Sequence, residues 1–175
     1  KIFSKKPNVR ALQIEKTNKE NEFDYKRIGG GLLVQTADIE TPSLDQLKIV
    51  TKREPDSKQL KQMLFAWKIV KFVKSNAIVF VNNNMTLGIG AGQMSRVDSV
   101  KIATIKAQKS NLSLEQSIVA SDAFFPFRDG IDLIADSGAA AIIQPGGSVK
   151  DNEIVTAANE RKLIMAFTDI RHFRH

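Results

Sequence analysis

The sequence predicts a layered α/β fold, a mixed sheet flanked by helices with parallel strands in its latter part. Three observations carry that expectation. Short apolar runs recur at Ile118–Ala120, Ala141–Ile143 and Leu163–Phe167. Helical segments over 129–137 and 151–162 separate them, and one long amphipathic stretch precedes them all. Strands alternating with helices of this kind build parallel βαβ units, and the helices cover the sheet.

In chain order, Val9–Ile14 reads as a strand, and so does Leu32–Val34 after Gly29-Gly30-Gly31. The polar excursion between them, Glu15–Lys26, reads as an exposed hairpin or loop. Beyond Thr51–Pro55, Leu60, Met63, Leu64, Trp67, Val70 and Val73 recur at three and four residues. That spacing lines one face of a helix from about Ser57 to Lys74, with Ser57 as its N-cap. Ala77–Val81, the turn residues Asn82-Asn83-Asn84 and Thr86–Ile89 describe a β-hairpin. A second helix begins near Gln93 and covers Val97, Val100 and Ile105, and a polar connector, Lys109–Gln116, leads into the three apolar strands. Gly138 suits a helix C-cap and Asp151 an N-cap. An amino-terminal lobe over 1–50 and a main α/β lobe over 51–175 are the expected division.

Composition narrows the function. Lys and Arg outnumber Asp and Glu by 26 to 19, a net charge of +7, which attracts phosphorylated metabolites, folate glutamates or nucleic acid. The basic residues are scattered and no reader motif is present, so nucleic acid is not the expected partner. No apolar run approaches roughly 18 residues and the opening Lys1–Lys6 precedes no apolar stretch, so neither a membrane span nor a signal peptide is expected. The lack of cysteine excludes disulfides and thiolate metal sites and favours the cytoplasm. Without an initiator Met, and opening inside a basic polar stretch, the sequence reads as a fragment of a longer product.

Four segments carry candidate chemistry. Ser121-Asp122-Ala123-Phe124-Phe125-Pro126-Phe127-Arg128-Asp129 follows a strand and precedes a helix, where open α/β sheets place ligands. Its phenylalanines and proline form either an apolar wall for a planar ring or aromatic core packing. Gly88-Ile89-Gly90-Ala91-Gly92-Gln93-Met94-Ser95-Arg96 leads from strand to helix, so its backbone can approach a ligand and its amides can face an anion. Its G-x-G-x-G spacing is not the dinucleotide pattern. Pro145-Gly146-Gly147-Ser148 permits a second close approach or is a simple connection. Arg171-His172-Phe173-Arg174-His175 holds both histidines and is either a phosphate site or a basic tail.

Taken together and in their order along the chain, these four segments, with Gln144 and with Lys71-Phe72-Val73-Lys74-Ser75-Asn76-Ala77, closely resemble the AICAR transformylase/IMP cyclohydrolase family, in the carboxy-terminal half of its transformylase domain. The match extends more weakly through Asn8-Val9-Arg10 and Gly30–Gln35. The resemblance implies a cytidine-deaminase-like subdomain and a formyltransferase of purine biosynthesis. Such an enzyme transfers the formyl group of 10-formyltetrahydrofolate to the 5-amino group of AICAR, and a separate domain then cyclises the product to IMP.

Carried over by motif, Asn76 and Arg96 meet the carboxamide region of AICAR, and Phe124, Phe125, Pro126 and Phe127 line its base and the folate. Arg171 takes the phosphate and His175 lies near the reacting groups. Asn76 and His175 thus assist catalysis, while Val97, Phe127 and Asp129 face the folate. The family's potassium ion maps onto oxygens of Val70, Val73, Ser75, Asp122, Phe173 and His175. Its main Lys-His pair falls upstream of Lys1, so the chain alone is expected to be inactive, and its site is expected to be completed in a homodimer. A zinc deaminase, the rival enzyme, lacks ligands here: there is no cysteine, and the two histidines are both terminal. The non-enzymatic alternative is a basic nucleotide- or nucleic-acid-binding domain that uses the same arginines without chemistry.

Overall fold

Alternation along the central strands of the computed structural model, which describes residues 3–5, 8–15, 22–83 and 85–175, decides the architecture. In β4 (Ile78–Asn82), Ile78 and Phe80 join one apolar core while Val79 and Val81 join another. The same split separates Val119 from Ile118 and Ala120 in β6 (Ile118–Ser121), and Ile142 from Ala141 and Ile143 in β7 (Ala141–Gln144). It also separates Met165 from Ile164 and Ala166 in β8 (Ile164–Phe167). Successive side chains of a strand point to opposite faces, so a sheet with two buried faces must be covered on both.

One face is covered by α1 (Ser57–Val70), which presents Met63, Ala66, Trp67 and Val70 at helical spacing. The other is covered by α2 (Arg96–Lys109), α3 (Asp129–Asp136) and α4 (Asp151–Glu160). The six strands run in the order β3-β8-β7-β6-β4-β5, with β3 at Lys48–Ile49 and β5 at Met85–Gly90. Strands β6, β7 and β8 are mutually parallel, and β3, β4 and β5 are antiparallel to their neighbours. The expected mixed α/β sheet with parallel latter strands is the one observed.

Residues 1–39 and 40–175 are two compact units. In the first, β1 (Phe23–Ile28) pairs antiparallel with β2 (Gly31–Thr36), turning at Gly29-Gly30 with Gly30 at φ +80°. The expected strand at Val9–Ile14 does not form. The partner of Leu32–Val34 comes instead from the end of the supposed polar excursion and the residue after it, where Phe23-Asp24-Tyr25-Lys26 alternates aromatic and charged side chains on a hairpin whose residues are all exposed. Residues 16–21 of that excursion, Lys1-Ile2 and the turn residue Asn84 lie outside the described residues.

Several boundaries shift for identifiable reasons. Helix α1 ends at Val70, and its N-cap is Asp56, whose carboxylate accepts from the Gln59 N–H at 2.7 Å in a capping box, so Ser57 is the first helical residue. Helix α2 starts at Arg96, not Gln93, because the Ser95 hydroxyl accepts from the Asp98 N–H and caps it. Asp151 is inside α4 rather than at its cap, and its carboxylate accepts from the Gly147 N–H at 2.7 Å. Gly138 sits just past α3 at φ +87°, the left-handed geometry expected of a residue that ends a helix.

Candidate active site

The polar residues singled out by the sequence gather at one end of the main sheet. The carboxyl ends of β6 and β7, the entry to β4, the first turn of α2 and the terminal segment 171–175 meet there. This is the pole where parallel strands present ligand-binding groups. At its centre Arg96 is ion-paired with Asp122, Nη2 to Oδ1 at 3.0 Å, and its Nε donates to the Ser121 hydroxyl at 3.1 Å. The Ser75 hydroxyl donates to the other oxygen of Asp122. The Asp122 side chain is 1% exposed and that of Arg96 11%. Burial pulls the Arg96 guanidinium below its ordinary value, Asp122 opposes that shift, and the positive charge of Arg171 adds to it. Two guanidiniums therefore converge on the same end of the sheet.

Asn76 is held at three atoms. Its backbone N–H and its Nδ2 both donate to the Gln93 carbonyl, at 3.3 and 2.9 Å, and its own carbonyl accepts from the Ser99 hydroxyl at 2.7 Å. With Nδ2 engaged, the side chain presents Oδ1, an acceptor suited to an amine or amide donor. Arg171 lies between two rings, its guanidinium carbon 4.9 Å from the Phe124 centroid and 5.0 Å from that of Phe173. Stacked this way, a guanidinium keeps its hydrogen-bonding edge for an anion. Phe173 in turn stacks on His175 at 5.4 Å.

The aromatic wall divides. Phe124, Pro126 and Phe127 are at least partly accessible, and Lys150 Nζ sits 4.4 Å over the Phe127 ring. Phe125 is 1% exposed and belongs to the core, where its ring lies against Gly130. Its backbone N–H donates to buried Gln144 Oε1 at 3.1 Å, which fixes the loop. Of the other residues expected on the folate side besides Phe127, Val97 is half-buried in the first turn of α2, and Asp129 accepts from the Gly130 N–H at 2.8 Å.

The glycine-rich segment needs correction. Gly88 and Gly90 lie within β5, where an added Cβ would fall 2.2 Å from the Ala103 carbonyl oxygen and 1.9 Å from that of Ser99. These glycines let the α2 backbone pack on the sheet and do not open a path to a ligand.

The oxygen groups expected to hold a cation come from elements that meet. Ser75 contacts Asp122, and the Ser75 N–H donates to the Arg174 carbonyl at 2.8 Å, which brings the connection after α1 and the terminal segment together. A hydroxyl, a carboxylate and backbone carbonyls are hard donors, and Arg96 already offsets the Asp122 charge, so the chemistry fits an alkali ion better than a divalent one. Sequence reasoning missed Ser99 and gave no role of their own to Gln93, Ser121 and Gln144, although all three stand within the quoted motifs. Each is a polar residue with no sequence sign beyond its place in or next to a motif, and each holds a motif residue in place.

Fold and site define an α/β domain with cationic, amide and aromatic groups collected at the carboxyl ends of parallel strands. The chain belongs to the AICARFT/IMPCHase bienzyme family, whose model matches residues 1–106. It is 56% identical over 174 residues to the bifunctional purine biosynthesis protein PurH of Polynucleobacter asymbioticus, an alignment covering 99% of this chain and 33% of that protein. The chain thus spans a third of that relative's length. Among solved structures, a diaminohydroxyphosphoribosylaminopyrimidine deaminase/5-amino-6-(5-phosphoribosylamino)uracil reductase from Thermotoga maritima aligns at 15% identity with a TM-score of 0.36, over 64% of this chain and 35% of that one.

Proposed function

We propose that this chain supplies the AICAR-facing part of a formyltransferase site in a bifunctional purine-biosynthesis enzyme. The convergence of Arg171 and Arg96 beside a fixed Asn76 and a half-buried aromatic ring supports this reading best. Family membership supports AICAR as the substrate and 10-formyltetrahydrofolate as the formyl donor.

In the reaction, the AICAR amine forms a bond to the formyl carbon as that carbon's bond to N10 of the folate breaks. The amine loses a proton and N10 gains one. Conjugation makes this amine a weak nucleophile, so orientation and charge stabilisation dominate the barrier. In this reading Arg171 forks onto the phosphate and Arg96, through its remaining Nη1, reaches the carboxamide. Asn76 Oδ1 accepts from the substrate's nitrogen, and Phe124, Pro126 and Phe127 flank the ring. His175 assists beside the reacting groups, and Val97 and Asp129 border the folate. The principal acid–base work is assigned to a Lys-His pair that has no match in this sequence. Potassium, held by oxygens of Val70, Val73, Ser75, Asp122, Phe173 and His175, would supply fixed positive charge that holds these segments together. A homodimer and a cytoplasmic location belong to the same reading, and among the described residues no helix is long and apolar enough to cross a membrane.

The test is Arg171→Lys in the full-length enzyme. Losing a charge-assisted fork costs about 1.5–3 kcal/mol, so AICAR binding should weaken roughly ten- to hundred-fold while the nucleoside lacking the phosphate binds as before. Equal weakening of both ligands would make Arg171 a structural anchor and remove the phosphate from this site.

A further inference from the structure

The two histidines of the terminal segment have separate fates. His175 is exposed and stacks on Phe173, whereas His172 is 1% exposed, its ring 4.6 Å from that of Trp67 at an interplanar angle of 41°. Trp67 is itself fully buried in the apolar stripe of α1. The His172 backbone N–H donates to the Asp122 carbonyl at 3.0 Å, and two residues on the Arg174 carbonyl accepts from Ser75.

We propose that His172 is a positioning residue. Seated on Trp67, it fixes the path of residues 171–175 and so directs the Arg171 guanidinium into the site. The inference rests on the reading of Arg171 as the phosphate contact. Terminal segments fray unless something ties them down, and a buried side chain ties a segment more firmly than backbone hydrogen bonds at its surface. The buried His172 ring on Trp67 is such a tie. Exposure alternates here: His172 is buried and its neighbours Arg171 and Phe173 are exposed. With His172 turned inward, Arg171 and Phe173 must turn outward together, which is the arrangement that places the guanidinium between the Phe124 and Phe173 rings. A rigid helix is thereby coupled through Trp67 and His172 to a side chain that alone has no buried support.

The experiment compares His172→Ala, His172→Leu and Arg171→Lys in the full-length enzyme, reading KM for each substrate, kcat and thermal stability. His172→Ala should raise KM for AICAR roughly tenfold or more and leave KM for the folate and kcat within about twofold, the pattern of a lost binding contact. His172→Leu, which refills the space on Trp67, should restore most of the AICAR KM. A merely structural role would instead lower stability and kcat and move both KM values together, and that result overturns the proposal. So does failure of Leu to rescue, which would assign His172 a polar role. If Arg171→Lys raises KM for AICAR but His172→Ala does not, the anchor fails and the phosphate contact stands. If Arg171→Lys leaves AICAR untouched, the phosphate contact itself is wrong. Should His172→Ala not fold, His172→Asn, a smaller cut of the same side chain, is judged by the same criteria.

Discussion

Two clusters of arginine and carboxylate lie in the main unit, and they differ in almost every physical respect. Arg96 and Asp122 are buried at the end of the sheet, joined by Ser75 and Ser121. Arg128, Asp132, Asp136, Glu160 and Arg161 form an exposed lattice between α3 and α4: Arg128 reaches Asp132 and Glu160, each at 3.0 Å, and Arg161 contacts Asp132 and Asp136. Ion pairs in water gain little, since solvent and salt screen them, whereas a buried charge that loses its partner has nowhere to be solvated. The lattice has more charges and more contacts, yet the single buried pair should matter far more to stability.

The largest effect should follow Asp122→Asn in the full-length enzyme. The substitution leaves the Arg96 guanidinium buried without its counter-charge, a defect that typically destabilises by about 3–5 kcal/mol. Denaturant unfolding checks this, and a loss under about 1 kcal/mol would mean the pair is far better solvated than its geometry indicates.

A second substitution sharpens the contrast by separating stability from binding. Replacing both partners, Arg96→Met with Asp122→Leu, removes both buried charges, and such swaps are often neutral or stabilising. The double variant should recover most of the stability lost by Asp122→Asn while AICAR binding, followed calorimetrically, stays weak. If binding recovers together with stability, Arg96 holds the fold and does not touch the substrate.

The same contrast explains what the sequence could and could not reveal. Helix α1 was legible because a large apolar stripe repeats at three and four residues, and β6, β7 and β8 were legible because each strand is buried throughout. Helix α2 was harder to place. Its buried face is built from small residues, Ser99, Ala103 and Ala107 beside Val100, packed on Gly88 and Gly90, so size and not hydrophobicity carries its pattern. Strand β1 was missed because exposed strands need no apolar face, and two-residue β3 is too short to carry a pattern. At the site, the motifs delivered Asn76, Arg96, Asp122 and Arg171. Their pairing was hidden because Arg96 and Asp122 lie 26 residues apart and Ser75 and Asp122 lie 47 apart, and only the crossing of β4, β6 and α2 brings them together. Phe125 shows the reverse: a local run of aromatics could not say which ring turns toward the core.

The smallest effect belongs to the exposed lattice, and its pH dependence has a definite sign. Hydrogen bonding from Arg128 holds the Asp132 carboxyl below the usual carboxylate range; partial burial opposes this, and the charges of Arg128 and Arg161 reinforce it. A group whose folded value is depressed stabilises the protein above its unfolded value and loses that contribution as pH falls through the folded value. Asp132→Asn should therefore destabilise by no more than about 1 kcal/mol near neutral pH, because the side chain is a third exposed and the pairing is screened. The difference from wild type should shrink toward zero as the solution is acidified below about pH 4, where the carboxyl protonates in the unfolded chain, and on through the lower folded value. It should also shrink as salt is raised from 0.05 to about 1 M. Thermal unfolding of the two proteins across a pH and salt grid measures both trends. A difference that persists unchanged at low pH and high salt would mean that the Asp132 carboxylate acts through helix packing or N-terminal charge in α3, and that the lattice and the buried pair are less unlike than their exposure implies.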